Sequence, residues 1–328
     1  MTLTSSAKAN RMETIVFLDR ATIPTHIQIP HPDFEHLWQE YPATKPEQVI
    51  KRLQQASIAI SNKVILDAAT LSQLPKLKMI AISATGTNNV DLDYCHQNKI
   101  TVCNIRGYAT DSVPEHVIAM MFALRRNLMG YHNDIKAGVW QQEKQFCFFT
   151  HPIGDINGST LGVIGSGSLG QAVAQLGRAL GMQVLFAEHK GKNSCRDGYT
   201  SFEDVLEQAD VLTLHCPLTA ETTNLISKEE LKRMKPSSLL INTGRGGLVD
   251  EQALVDALKD GEIGGAGTDV FTQEPADETN PLLANAHLPN LLLTPHVAWG
   301  SDSAIQTLAN QLIDNINKFV EGKPQNIV

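Results

Sequence analysis

The chain lacks the long apolar segments, the charge excess and the paired cysteines that mark several classes of protein. No stretch approaches the length of a membrane span, and the start, MTLTSSAKANRMET, has no apolar run of the signal-peptide type. The formal net charge is -8, which argues against a nucleic acid or an anionic membrane as partner. No internal repeat, low-complexity tract or long charge run is present.

The cysteines are few and show no spacing typical of a disulfide framework or a zinc site. There are five of them, an odd number, and no two form a C-x-x-C pair. We therefore predict free thiols in a reducing compartment, which makes the cytoplasm the expected location, and we expect no metal site. The five positions are Cys95, Cys103, Cys147, Cys195 and Cys216.

The composition is that of a globular protein, with 42% hydrophobic and 19% charged residues. The length of 328 residues suffices for two domains, each with its own core. Short apolar runs rich in β-branched residues alternate with segments of helical periodicity, which predicts α/β domains with parallel sheets. In the first part of the chain the predicted strands are 14–18, 57–60, 79–83 and 101–103.

The region 160–190 holds the most informative pattern. An apolar run at 161–164 ends in a series of glycines, which predicts a strand and then a tight turn. Apolar residues at helical spacing follow and stop at Gly181, a typical helix C-cap. A second apolar run, 184–187, ends at Glu188. The order is therefore strand, glycine turn, helix and strand.

Each glycine of this turn has a physical role. Gly165 allows the turn, Gly167 lets the backbone approach a pyrophosphate, and Gly170 lets the helix pack close to the strand. Glu188 then lies where a carboxylate accepts hydrogen bonds from an adenosine ribose diol. The pattern predicts a dinucleotide site; a plain tight turn with a solvated Glu188 is the alternative.

The alternation continues to the end of the chain. With 161–164 and 184–187, the further runs 211–214, 239–241, 263–270 and 291–293 give six strands and a complete doubly wound dinucleotide fold. Helices are predicted at 112–128, from Ser227 with a capping box to Glu230, and at 250–258. An apolar helix at 305–320 should pack on the sheet of the first domain.

Residues 131–155 carry no regular pattern, and we expect an irregular segment there. Exposed aromatic side chains on such a segment would suit a subunit interface, although a local core is equally consistent with them. The aromatic residues in question are Trp140, Phe146, Phe148 and Phe149.

Three late segments place polar side chains just beyond predicted strand ends, where open α/β sheets bind ligands. They supply a guanidinium (Arg245), a carboxylate (Glu274) and an imidazole (His296). A histidine beside a carboxylate can deliver a proton to a developing alkoxide, and an arginine can bind a substrate carboxylate or polarise the keto oxygen. Taken singly, each could be a turn or surface residue. The polar loop 83–91 of the first part is likewise either a ligand loop or a surface turn.

The segments GVIGSGSLG with Glu188, LHCPLT, INTGRGGLVDE, GTDVFTQEP and LLTPHVAWGS, together and in this order, resemble the signatures of the D-isomer-specific 2-hydroxyacid dehydrogenases. The resemblance implies that Arg245 binds substrate, that Glu274 orients His296, and that His296 is the general acid/base. It also implies that the backbone N–H groups of Thr85 and Gly86 bind the substrate carboxylate.

The same resemblance implies the domain organisation and the dinucleotide contacts. A discontinuous flavodoxin-like substrate domain, 1–103 plus 297–328, would enclose a Rossmann domain, 104–296, with hinges near Asn104 and Val297. Asp269 would hold the nicotinamide amide. The residues implied to line the cofactor site are Thr110, Gly165, Ser166, Gly167, Ser168, Leu169, Gly170, Glu188, His215, Cys216, Pro217, Thr222, Thr243, Gly244, Arg245 and Asp269.

Within the family, ATGTNNVD, GYATDSVPEH, VLFAEHKG and HVAWGS are most similar to glycerate dehydrogenases, also called hydroxypyruvate reductases. This implies a dimer that reduces hydroxypyruvate to D-glycerate, with glyoxylate as a possible second substrate. A reductase of another 2-oxo acid, such as 2-ketogluconate, and an NAD(H)-sensing corepressor are the alternatives. Glu188 favours NAD(H), since it would repel a 2′-phosphate. The nearby His189, Lys190 and Lys192 leave NADP(H) open.

Overall fold

The computed structural model describes residues 12–328. The N-terminal segment in which we expect no signal peptide therefore lies mostly outside the described residues. The chain divides into two compact units, one running to Tyr108 and including Ser301–Val328, the other comprising Ala109–Gly300. Both changes of unit lie a few residues further along the chain than the predicted domain boundaries.

The strands lie in two sheets in which all neighbouring strands are parallel, one sheet in each unit. Between residues 12 and 328 the strands are β1 (Glu13–Phe17), β2 (His36–Glu40), β3 (Ile58–Ser61), β4 (Met79–Ile82), β5 (Thr101–Cys103), β6 (Thr160–Ile164), β7 (Gln183–Ala187), β8 (Tyr199–Thr200), β9 (Val211–Leu214), β10 (Leu239–Asn242), β11 (Gly265–Thr268) and β12 (Leu291–Leu293).

The α-helices connect these strands. They are α1 (Val49–Leu53), α2 (Ala68–Leu71), α3 (Leu92–Gln97), α4 (Ser112–Arg125), α5 (Leu128–Lys136), α6 (Val139–Glu143), α7 (Ser168–Ala179), α8 (Phe202–Gln208), α9 (Lys228–Arg233), α10 (Glu251–Asp260), α11 (Pro281–Ala284) and α12 (Asp302–Val320). Short 3₁₀ segments are formed by Arg20–Thr22, Pro46–Gln48 and Gly246–Leu248.

The first unit has a five-stranded sheet in the order β2-β1-β3-β4-β5, the flavodoxin-like arrangement. Its central strands are buried along their whole length, as expected for a parallel sheet covered on both faces. The closing helix α12 packs against β4, as predicted. The sequence analysis missed β2, because this edge strand (HLWQE) is polar and largely exposed.

The second unit has a seven-stranded sheet in the order β12-β11-β10-β9-β6-β7-β8. The chain order reverses between β6 and β9, which is the topological switch point where doubly wound folds bind ligands. The six predicted strands are present, and the two-residue edge strand β8 is an addition. The predicted fold class is confirmed: the chain has two doubly wound domains with parallel sheets.

One prediction for the second unit is wrong. Residues 131–155 were expected to be irregular, but α5 and α6 cover much of that segment, and α4 ends earlier than predicted. Asn127 separates α4 from α5 in the left-handed region, with φ 49°. Of the aromatic side chains, Phe146 is 94% and Phe149 78% exposed, whereas Phe148 packs on Tyr131.

Candidate active site

The glycine turn of the second unit joins β6 to α7 and leaves room at the start of the helix. Gly165 has a φ of 98°, and a Cβ there would collide with the backbone of His215 and Cys216. A Cβ on Gly170 would lie 1.9 Å from the carbonyl oxygen of Gly165, so only glycine lets the helix pack so closely. A Cβ on Gly167 would meet nothing within 4 Å. The turn therefore offers an open backbone surface to an anion.

Glu188 directly follows β7, as predicted. Contacts through Arg196 and Tyr199 connect it to the glycine turn. The hydroxyl of Tyr199 donates to Ser166 Oγ at 2.6 Å, which ties β8 to the turn. The guanidinium of Arg196 stacks 3.9 Å from the ring centre of Tyr199 and donates to Glu188. This hydrogen bond is the main cause that lowers the pKa of Glu188 to about 2.

The ends of β9 and β10 carry further predicted cofactor residues. His215 pairs with the Thr213 hydroxyl at 2.9 Å, and burial lowers the pKa of this imidazole to about 4. Pro217 and Thr222 belong to one turn, closed by the Thr222 hydroxyl donating to the Pro217 carbonyl. The buried Thr243 hydroxyl has no hydrogen-bond partner within residues 12–328. Such an orphaned polar atom fits a site that takes a polar ligand.

Arg245 lies in the loop after β10, which is held by hydrogen bonds to Asn242 and by close packing of Gly246. The Asn242 side chain donates to the Arg245 carbonyl at 2.8 Å and accepts from the Gly244 N–H at 3.1 Å. A Cβ on Gly246 would lie 2.0 Å from the carbonyl carbon of Phe271, so this glycine lets the loop pack against the segment that carries Glu274. The side chain of Arg245 is half-buried.

His296 and Glu274 lie within hydrogen-bonding distance of each other, as the family resemblance implies. Nδ1 of His296 lies 2.6 Å from Oε2 of Glu274, and both side chains are partly exposed. The other carboxylate oxygen accepts the Phe271 N–H at 3.0 Å, which orients the carboxylate. With Nδ1 held by the carboxylate, Nε2 is the nitrogen left to exchange a proton with a substrate.

A buried carboxylate holds the backbone around His296. This residue has a φ of 56°, in the left-handed region that costs a non-glycine residue energy. Asp269 is fully buried, and its carboxylate accepts the N–H groups of Val297 and Ala298, both at 2.8 Å. Its carbonyl accepts the His296 N–H at 2.7 Å. Asp269 therefore stabilises the conformation that presents the imidazole.

The sequence analysis missed two residues that complete this network. The Thr294 hydroxyl donates to Asp269 Oδ1 at 2.5 Å, and Nε2 of His116 lies 3.0 Å from the same hydroxyl. A hydroxyl has one proton to donate, so His116 is the donor to Thr294. Three donors then occupy the buried Asp269 carboxylate, and its contact with a nicotinamide amide stays a prediction. No local motif signals a bond between such distant segments.

In the first unit the predicted substrate loop follows β4. The Thr85 hydroxyl donates to the Ile105 carbonyl at 2.8 Å, and the Asn104 amide donates to the Thr85 carbonyl at 2.7 Å. A chain of asparagines continues from there, since Asn315 donates to the Asn104 carbonyl and Asn326 to Asn315 Oδ1. The loop is thus fixed from α12 and the C-terminal tail.

Thr110 lies in the turn before α4, and Ser168 and Leu169 lie in the first turn of α7. No group of three or more His, Cys, Asp or Glu side chains placed to hold a metal ion occurs within residues 12–328. Over the same range no helix is long and apolar enough to cross a membrane.

The NAD-binding domain of the D-isomer specific 2-hydroxyacid dehydrogenases matches residues 118–298, nearly all of the second unit. The chain belongs to this family. A glycerate dehydrogenase of Methylorubrum extorquens is 53% identical over 96% of this chain and 98% of its own. A hydroxypyruvate reductase of Blautia hydrogenotrophica is 35% identical over 87% and 88%.

Among solved structures, a D-lactate dehydrogenase of Aquifex aeolicus, complexed with NAD and lactic acid, superposes with a TM-score of 0.79. It is 28% identical and covers 95% of this chain and 96% of its own. The chain is therefore an NAD-dependent oxidoreductase of the 2-hydroxyacid dehydrogenase family, and the predicted family and cofactor are confirmed.

Proposed function

We propose that this 2-hydroxyacid dehydrogenase reduces hydroxypyruvate to D-glycerate with NADH, with glyoxylate as a second substrate. The observation that carries the chemistry is the His296–Glu274 pair at 2.6 Å, held in place by the buried Asp269. The substrate follows from the relatives named glycerate dehydrogenase and hydroxypyruvate reductase, which match nearly the whole chain.

In this proposal the catalytic groups lie on the second unit. When bound, NADH supplies the hydride that reaches the carbonyl carbon of the 2-oxo acid. Nε2 of protonated His296 donates its proton to the developing alkoxide, and Glu274 stabilises the imidazolium before transfer. Arg245 binds the 2-oxo acid through its planar guanidinium.

We assign the cofactor to the glycine turn of the second unit and the substrate carboxylate to the first. The open space at Gly167 and the orphaned Thr243 hydroxyl support the first assignment. The second rests on the backbone N–H groups of Thr85 and Gly86, in a loop fixed by Asn104. On this basis the first unit is the substrate domain.

We also infer a cytoplasmic homodimer. The five free cysteines support a reducing compartment. Exposed apolar side chains cluster on α5, α6 and the segment after them, among them Met129, Trp140, Phe146 and Phe149. A second copy of the chain would cover this surface. Size-exclusion chromatography with light scattering tests the dimer, and a monomer at micromolar concentration would contradict it.

The decisive experiment is NADH oxidation, followed at 340 nm, with hydroxypyruvate, glyoxylate, pyruvate and 2-ketogluconate offered separately. We expect the highest kcat/KM with hydroxypyruvate. A clear preference for another acid would keep the mechanism and overturn the substrate. Binding of NADH without turnover of any acid would instead support the NAD(H)-sensing alternative.

A further inference from the structure

The segment that carries Glu274 lies mostly at the surface of the second unit. It runs from Phe271 to Asn280, between β11 and α11. Phe271 packs against the core of the unit, but most of the side chains after it are exposed. Apolar packing therefore fixes only the start of the segment, and hydrogen bonds must hold the rest in place.

Glu251 holds both ends of this segment with one carboxylate. It lies in the first turn of α10 and is only 8% exposed. Oε1 accepts the Thr272 N–H at 2.7 Å. Oε2 accepts the side-chain amide of Asn280, also at 2.7 Å. Hydrogen bonds to an ionised acceptor are stronger than those between neutral groups, so this carboxylate fixes the entry and the exit of the segment.

The helix that carries Glu251 is part of the packed core. Leu254 and Val255 of α10 are buried in the core of the second unit. The side chain of Asp250 caps the helix by accepting the Ala253 N–H at 3.1 Å. The first turn of a helix also stabilises a negative charge through the helix dipole. Glu251 therefore connects an exposed segment to a well-packed element.

Two consecutive N–H groups lead from Glu251 to the proposed catalytic pair. The N–H of Thr272 donates to Glu251, and the N–H before it, that of Phe271, donates to Oε1 of Glu274. The other oxygen of Glu274 lies 2.6 Å from Nδ1 of His296. A shift of the peptide between these two N–H groups would therefore move the Glu274 carboxylate relative to the imidazole.

We propose that Glu251 is a positioning residue, which sets kcat by holding Glu274 against His296. It acts through Glu274 and not on the substrate. Misplacement of a catalytic group by about 1 Å can cost up to about 10²-fold in rate, so loss of Glu251 should affect kcat rather than the binding of NADH. The inference rests on the proposed function in taking His296 as the proton donor.

Steady-state kinetics on the full chain test this, with NADH and the 2-oxo acid that the wild-type chain reduces fastest. The Kd of NADH is measured alongside by fluorescence. Glu251→Ala should lower kcat about tenfold and leave that Kd unchanged. Glu251→Gln keeps a carbonyl oxygen for the Thr272 N–H and should restore kcat to within about threefold of the wild type. Asp256→Ala removes an exposed carboxylate from the same helix and is the matched control.

Two further variants separate positioning from general stability. Asn280→Ser keeps a side chain that caps α11 but removes the amide that binds Glu251, so kcat should fall about threefold. In a Glu274→Gln background, the addition of Glu251→Ala should change kcat by less than about twofold, because the carboxylate on which Glu251 acts is already absent.

An unchanged kcat in folded Glu251→Ala would contradict the proposal; if that variant does not fold, an unchanged kcat in Asn280→Ser would do so. An equal loss of kcat with and without the Glu274 carboxylate would also contradict it, because Glu251 would then act elsewhere. A parallel loss of NADH binding would indicate a structural role instead. If the wild-type chain reduced no 2-oxo acid, the proposed function would fall, and this inference with it.

Discussion

The residues that follow the carboxyl ends of the strands differ in type between the two sheets. In the second unit this edge carries charged side chains fixed by other side chains, as in the His296–Glu274 pair and the Asp269 network. In the first unit the loop after β4 carries small polar residues, and side-chain amides hold its backbone. In the proposed function, the edge of the second unit transfers the proton and the loop of the first unit binds an anion through backbone N–H groups.

This difference predicts which variants will change kcat and which will change KM. A group that acts on the developing charge in the transition state should affect kcat, whereas a group that shapes a binding loop should affect KM. Variants at the two edges can therefore be compared within one assay.

The largest effect is expected for His296→Ala. Loss of the general acid should lower kcat by about 10²- to 10⁴-fold, since the proton is needed in the transition state. The Kd of NADH should stay within experimental error. His287→Ala, a change at an exposed histidine of the same unit, is the control. An unchanged kcat would remove His296 from the mechanism.

The next effect is a loss of folding stability at acid pH, and it comes from His215 in the second unit. Burial lowers the pKa of His215 from 6.5 to about 4, so between these values the unfolded chain binds the proton and the folded chain does not. Stability should therefore fall as the pH drops from 6.5 to 4, by on the order of 3 kcal/mol from this residue.

Thermal unfolding of His215→Gln across that pH range measures this contribution. The variant should lose less stability on acidification than the wild-type chain. His132→Gln, at an exposed position, should follow the wild-type profile. Parallel profiles for His215→Gln and the wild type would contradict the prediction.

Thr294→Val tests whether the buried network acts through the position of His296. The change removes a donor to Asp269 and the acceptor of His116, which should cost about 1–3 kcal/mol of stability. We expect kcat to fall about tenfold because the loop that carries His296 loses one of its anchors. Thr294→Ser keeps the hydroxyl and should restore kcat; a failure of this rescue would indicate a role for the methyl group.

The smallest effect is expected in the first unit, for Asn104→Ala. Loss of the hydrogen bond to the Thr85 carbonyl should raise KM for hydroxypyruvate about fivefold, consistent with roughly 1 kcal/mol. Both kcat and the Kd of NADH should change little. Asn98→Ala, at an exposed position, is the control. A large fall in kcat with KM unchanged would contradict the division between the two edges.

Most of the features that could be predicted from the sequence depend on residues close together in the chain. The glycine turn, the helix after it and Glu188 follow from local spacing, because turn geometry and helix packing demand glycine at fixed positions. The prediction for 131–155 was wrong because the two helices there are short and α5 follows Asn127, a residue in the left-handed region. The edge strand β2 was not predicted because its own sequence pattern is not that of a strand, and it is a strand because it pairs with β1.

By itself the sequence determined the fold class, the family and the chemical types of the site, since these depend on local periodicity and on motifs within single loops. Only the tertiary structure decided which side chains meet. The bonds from Arg196 to Glu188 and from His116 through Thr294 to Asp269 join groups whose partners no short motif specifies. The bond of Thr294 to Asp269 exists because β11 and β12 are neighbouring strands whose carboxyl ends lie at one edge of the sheet, and the spacing of residues along the chain does not encode that strand order.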